Sequence, residues 1–141
     1  MNSPGPIQLT FGGQGAFQIV GPGTYVGDWI TGLAGMLSAS LQAQLLYGSG
    51  GATVAVYFQT SFDQGQTPID IAAIQFTTAS GTDVVNLSAL TPRTTPLVPT
   101  QQALAAGSSN DGLLADRLRV VVVVTGTYGN STLLNATACV R

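Results

Sequence analysis

The sequence predicts an all-β protein that folds as an antiparallel β-sandwich, of either the jelly-roll or the immunoglobulin-like type. Lys and Glu, which normally coat exposed helices, are absent from the chain. Several segments alternate apolar and polar residues with a period of two, as half-buried strands do. These segments are short and are separated by Gly- and Pro-rich turns, a spacing typical of sandwiches and small barrels.

The N-terminal residues 1–23 combine Gly and Pro with the apolar residues Phe11, Phe17, Ile19 and Val20. Gly and Pro disfavour regular structure, whereas the apolar side chains disfavour a fully solvated tail. We therefore expect residues 1–23 to form an extended arm that docks on a neighbouring subunit, followed by one sandwich domain over residues 24–141. A first strand that docks on its own domain is the alternative.

The clearest alternation covers residues 37–45, in which Leu and Ala occupy the odd positions and Ser and Gln the even ones. This pattern predicts a strand whose odd residues, beginning with Leu37, face the core. A helix is the competing interpretation, because leucines also recur there at every fourth position. The Gly-rich flanks favour the strand.

Further alternating segments predict strands at 54–60, 69–76, 83–90, 117–125 and 133–140. In the segment 69–76 the isoleucines place Asp70 on the outward side. The apolar parity changes across Ala72 and Ala73, which indicates a β-bulge.

One long connection, residues 91–112, is predicted between the strands at 83–90 and 117–125. It exceeds the usual length of a loop, and long loops in small domains often make functional contacts. Its apolar centre, Pro96, Leu97 and Val98, is a candidate interface together with the apolar residues of the arm. Within it, Gln101 to Ala106 have the composition for one helical turn.

The stretch that most resembles a motif is residues 61–67, SFDQGQT, which follows the Asp-box pattern S-x-D-x-G-x-T. Asp63 is expected to accept backbone hydrogen bonds and Gly65 to adopt a positive φ, with Ser61 and Thr67 completing the turn. We interpret it as a structural turn between two strands.

Catalytic and cofactor sites are disfavoured by the residues that the chain lacks. Without His or Lys there is no Ser-His-Asp triad, Cys-His pair, Schiff base or P-loop, and Cys139 alone supports no zinc site. We expect no enzyme activity, no cofactor, no metal and no small-molecule substrate, although the sequence leaves open calcium binding by Asp and carbonyl oxygens. Four Arg without any Lys neutralise too few phosphates for a nucleic-acid partner. No uninterrupted apolar run is long enough for a transmembrane helix, so we expect no membrane partner.

Four stretches together resemble small virion proteins encoded in the structural gene clusters of tailed phages and prophages. They are LYGSGG at 46–51, VYFQTS at 56–61 with the Asp-box turn, VNLSALTP at 85–92 and DGLLADRLRV at 111–120. The resemblance implies a β-sandwich that serves as a capsid decoration (cement) protein.

The partners implied by that resemblance are the major capsid protein and other copies of the chain, with a trimer as the expected assembly. The protein would be made in the host cytoplasm and located on the capsid surface of the virion. The small number of charges agrees with a surface that an assembly covers. A head-fibre or tail component, or a sandwich that binds a glycan through an exposed aromatic cluster, are the alternatives.

Overall fold

The structure is a computed structural model that describes residues 5–141. The segments with a period-two apolar pattern form its long strands. This part of the chain contains strands and no helix. The strands are β1 (Gly5–Leu9), β2 (Phe17–Gln18), β3 (Gly23–Val26), β4 (Ser38–Leu46), β5 (Ser49–Gly50), β6 (Thr53–Thr60), β7 (Ile69–Phe76), β8 (Gly81–Ser88), β9 (Arg119–Thr125), β10 (Tyr128–Gly129) and β11 (Leu133–Val140).

The strands form two antiparallel sheets, which we call the first and second sheet. The first has the order β1-β11-β4-β8, with β2 also pairing with β11, and the second has the order β3-β9-β6-β7. A short ribbon of β5 and β10 lies at one end. The pairs are nested along the chain: β6 with β7, then β4 with β8, β3 with β9 and β1 with β11.

A long nested hairpin whose pairs alternate between two sheets is a jelly roll. An immunoglobulin-like sandwich distributes its strands between the sheets in a different order. The β-sandwich predicted from the sequence is confirmed, and of its two variants the strand order selects the jelly roll.

The core lies between the sheets and consists of the inward residues of each alternating strand. In β11 the even positions 134–140 are at most 1 % exposed, and in β6 Val54, Val56 and Phe58 are fully buried. In β4 the odd positions from Ala39 to Leu45 are fully buried, which confirms the strand and excludes the helix there. Leu37, however, is 55 % exposed, because it precedes β4, which begins at Ser38. The backbone N–H groups of Leu37 and Ser38 both donate to the carbonyl of Arg141.

The predicted bulge is present, one residue from its expected place. Phe58 pairs with Ala72 but Gln59 pairs with Asp70, so Ile71 is left without a partner on β6. The extra residue allows both Ile71 and Ile74 to face the core.

The arm predicted for residues 1–23 is corrected for the residues that the structure describes; residues 1–4 lie outside them. β1 and β2 both pair with β11, and Leu9 and Ile19 are only 1 % exposed. Phe11 and Phe17 stack with their ring centres 4.4 Å apart and pack on the core. The segment is therefore part of its own sandwich, as in the alternative considered from the sequence.

A chain lacking residues 1–23 should therefore fail to fold cooperatively. Removing Leu9 and Ile19 from the core costs roughly 1.5–3 kcal/mol for each side chain, and the ladder of β1 on β11 is lost as well. Circular dichroism during urea unfolding tests this. A truncated chain with the wild-type midpoint would show that the segment is a dispensable arm after all.

Candidate functional site

The long loop between β8 and β9 runs along the outer edge of β7. Asp70 donates its backbone N–H to the carbonyl of Thr100, and Ala73 exchanges backbone hydrogen bonds with Gly107 and Ser108. Asn110 donates its backbone N–H to the carbonyl of Ile71. The loop thus pairs with the edge of the second sheet over residues 70–73 of β7, and the helical turn predicted at 101–106 is absent.

The carboxylate of Asp70 fixes this loop. It is fully buried and accepts backbone N–H bonds from Gln102, Ala103 and Leu104 at 3.0–3.2 Å. The side-chain amide of Gln59 donates a fourth bond at 2.8 Å. Asp70 points away from the core, as predicted, but the loop covers it instead of solvent.

Gln59 continues the network towards Trp29. Its side-chain oxygen accepts a bond from Nε of Arg119 at 2.9 Å, and the guanidinium of Arg119 lies 4.5 Å from the ring centre of Trp29. Burial lowers the pKa of Arg119. Trp29 also packs on the Asp-box turn, since a Cβ on Gly65 would lie 3.0 Å from its ring nitrogen.

The Asp-box turn has the geometry that the sequence predicts. Asp63 accepts the backbone N–H of Thr67 at 2.7 Å as well as its hydroxyl, and Ser61 accepts the backbone N–H of Gly65 at 2.9 Å. Gly65 has a φ of 92°, and Gln64 also lies in the left-handed region at 63°. These bonds, first the hydroxyls of Thr67 and Ser61, lower the pKa of Asp63 to about 2. The turn joins β6 to β7 and projects Phe62.

An exposed apolar surface lies where this turn meets the start of the long loop. Phe62 is 60 % exposed, and Val98, in the predicted interface, is 81 % exposed. Phe62 and the neighbours of Val98 in the chain line an open cavity of about 270 Å³, whose apolar lining is Phe62, Ile69, Pro96, Leu97, Pro99 and Leu113. We call this set, with Val98, the loop-end surface.

Arg93 is the one charged residue in the lining of that cavity. Its only hydrogen bond with a described residue is a long one of 3.4 Å to the side-chain oxygen of Asn110. Arg117, by contrast, pairs with the carboxylate of Asp116 at 3.0 Å. The loop-end surface therefore combines an apolar cavity with a cation that has no carboxylate within ion-pair distance among residues 5–141.

Two groups of aromatic residues, one around Tyr25 and one around Tyr47, are candidates for the cluster that a glycan site would need. Tyr25 packs on Phe17, with ring centres 5.0 Å apart, at the N-terminal side of the sandwich. Tyr47 meets the buried Tyr128 edge to face, beside the ribbon of β5 and β10. Within residues 5–141 no ring contact joins these two groups.

The carboxylates of Asp28 and Asp111 hold loops of the protein in place. Asp28 accepts bonds from Thr10 and Gly13, and Asp111 from Ser88, Thr91 and Gly112; these bonds lower the pKa of both. Within residues 5–141 no three His, Cys, Asp or Glu side chains come together as a metal site would require. The same part of the chain has no helix long and apolar enough to span a membrane.

Comparison of the sequence with protein-family models and with curated proteins, and of the structure with solved structures, finds no match. The function must therefore be inferred from the site itself.

The sequence predicted three residues of the loop-end surface. Pro96, Leu97 and Val98 lie on the loop-end surface, whereas the four residues predicted with them lie elsewhere and only Val20 is exposed. The sequence places Phe62 only within a turn, and its 60 % exposure, which makes it a candidate contact residue, is visible only in the structure. The sequence does not reveal the hydrogen-bond partners of Asp70 either, since three of them are backbone groups of a loop far along the chain.

Replacing Asp70 by Asn should lower the free energy of unfolding by roughly 3 kcal/mol. The amide group of Asn places donors against backbone donors in a buried position, where each unsatisfied group is costly. Urea unfolding measures the change, with Asp83→Asn as the exposed control, for which we expect at most about 0.5 kcal/mol. Equal effects of the two substitutions would contradict the role given to Asp70.

Replacing Asp63 by Asn should destabilise the protein at pH 6 and have less effect at pH 2. The pKa of Asp63 is lowered to about 2 in the folded state, so the unfolded chain binds its proton first as the pH falls. The stabilisation is present above about pH 4 and is lost as the pH falls towards the folded pKa. Urea midpoints of both proteins at the two pH values measure it. A difference that stays constant would show that the carboxylate charge is not what stabilises the turn.

Proposed function

We propose that this protein is a non-enzymatic structural subunit of a tailed-phage virion, a capsid decoration protein that binds the outer surface of the capsid. The observation that carries the proposal is the loop-end surface, with Phe62 and Val98 at least 60 % exposed beside an apolar cavity. Contiguous exposed apolar patches of this kind mark sites of protein–protein contact.

The rigidity of the loop-end surface supports the same function. Phe62 stands on the hydrogen-bonded Asp-box turn. Residues 96–99 directly precede the part of the long loop that Asp70 and the edge of β7 hold in place, which begins at Thr100. Pro96 and Pro99 further restrict the backbone there. A surface that is ordered before binding loses little conformational entropy on contact, which favours tight attachment through a small area.

The remaining chemistry of the chain favours a structural role over catalysis. The chain has no His, Lys or Glu, and five of its six carboxylates accept hydrogen bonds that fix turns, loops or an arginine. A general acid or base must be available to a substrate, and these groups are engaged with the protein. Only the carboxylate of Asp83 accepts no hydrogen bond from the described residues.

The fold is compatible with the proposal but does not decide it. Jelly rolls recur in viral capsid proteins, lectins and cupins, and a fold alone does not assign a function. The resemblance of the stretches at 46–51, 56–61, 85–92 and 111–120 to phage virion proteins favours the first of these uses. A head-fibre or tail component shares the same features, whereas a glycan-binding module is disfavoured by the scattered aromatic residues.

The composition of purified virions tests the assignment. In particles of the phage or prophage that encodes the chain, quantitative mass spectrometry should find it in a fixed ratio to the major capsid protein, and isolated heads should retain it. Recovery with isolated tails would replace the decoration role by the tail role. Absence from the particles would refute both.

Replacing Phe62 by Asp should weaken binding to capsids that lack the protein by more than about tenfold, since aromatic anchors dominate such interfaces. Val20→Asp is the matched control, an exposed apolar residue from the other predicted interface. Co-sedimentation with capsids assembled without the protein measures both variants. Loss of binding in Val20→Asp with normal binding in Phe62→Asp would move the attachment site to the N-terminal side.

A further inference from the structure

One edge of the sandwich is left open. The long loop covers residues 70–73 of the edge strand β7, and the edge strands β1 and β3 have only five and four residues. β8 has eight residues and pairs with β4 alone among the described strands. Long unpaired edges are templates for pairing with another chain.

The hydrogen-bond pattern shows which backbone groups of β8 are free to pair. Just beyond the strand, Ala89 donates its N–H to the carbonyl of Leu37, in the same register as the pairing of β8 with β4. Because antiparallel ladders alternate, the odd residues of β8 face β4 and the even residues face away. Ser88 agrees, since its N–H donates to Asp111 on the side away from β4. The N–H and C=O groups of Thr82, Val84 and Asn86 therefore point outwards.

This edge has few of the features that protect open strands. Its sequence, GTDVVNLS, contains no Pro and no Lys, and Asp83 is its only charge. Val84, in the middle, is 64 % exposed. The long loop reaches only the C-terminal end of β8, where Asp111 binds the N–H of Ser88. Around Val84 an open cavity of about 320 Å³ separates β8 from Gly107 and Ser108 of the loop.

We propose that β8 pairs with β8 of a second copy, antiparallel about a twofold axis at Val84, to join the two first sheets into one. This association goes beyond the decoration role and does not depend on it. The register follows from the free groups, since pairing Val84 with Val84, and Thr82 with Asn86, uses all three outward-facing residues on both copies. Ser88 is excluded because Asp111 already binds its N–H.

The side chains are compatible with this register. On the outer face the exposed valines meet at the axis, and each Thr82 hydroxyl lies beside the amide of Asn86 of the second copy. Asp83 is opposite Val85 of the second copy, so no like charges face each other directly. The contact is closed and self-complementary, and it gives two copies, not the three expected from the sequence alone.

The first test is the mass in solution. Sedimentation equilibrium of the full chain should show a dimer, and Val84→Pro should weaken its association by more than about tenfold, because the substitution removes one donor from each copy at the axis. Proline is tolerated here because the Val84 N–H makes no bond within the subunit.

Val26→Pro is the matched control. Val26 is a half-exposed valine on the edge strand β3, and its N–H also faces away from the sheet, since Gly27 is the residue that donates to Val120 of β9. This variant should remain dimeric. A monomeric wild type, or a dimer unaffected by Val84→Pro, would overturn the proposal, and so would a dimer that both substitutions weaken equally.

The register has its own test, which is valid even if the proline variant fails to fold. In a Cys139→Ser background, Val84→Cys should form a disulfide-linked dimer on mild oxidation, because directly paired residues lie about 5.5 Å apart between Cα atoms. Thr82→Cys, about four residues from its counterpart along the paired strands, should remain uncrosslinked. Crosslinking of Thr82→Cys with none at Val84→Cys would refute the axis at Val84.

Discussion

The buried carboxylate of Asp70 organises the side of the sandwich that carries the long loop. It binds three consecutive backbone N–H groups of the long loop and is itself held by Gln59. The loop then covers the edge of β7 and supports the apolar residues around Phe62. The carboxylate and these backbone bonds together hold the loop on residues 70–73 of β7, and β8 is the long open edge among the described strands.

The chain carries few charges, which affects how its surfaces meet other molecules. Most of the few Asp residues also fix backbone geometry, as Asp63 and Asp111 do in their turns. With a net charge of −2, the sheet faces and the edge of β8 lack the interspersed charges that keep isolated domains apart. A protein of this kind is suited to an assembly in which its neutral surfaces are covered.

Local patterns predicted the strands well, because burial on one face imposes a period of two that β4 and β11 follow throughout. The N-terminal segment was misjudged because β1 and β2 are short and interrupted by Gly, so that their pairing with β11 depends on residues far away in the chain. The role of Asp70 was beyond local reasoning for the same cause: its partners are main-chain groups more than 30 positions further on. Exposure, which distinguishes Phe62 from a core aromatic residue, is likewise a property of the assembled fold.

Amide hydrogen exchange, followed by NMR, tests the organising role of Asp70 most directly. In the wild-type protein the amides of Gln102, Ala103 and Leu104 should exchange slowly, although the loop that carries them lies at the surface. In Asp70→Asn these amides, with those of Gly107 and Asn110, should lose protection together, under conditions in which β4 and β11 remain protected. Fast exchange of the loop amides in the wild type, or unchanged protection in the variant, would contradict the account.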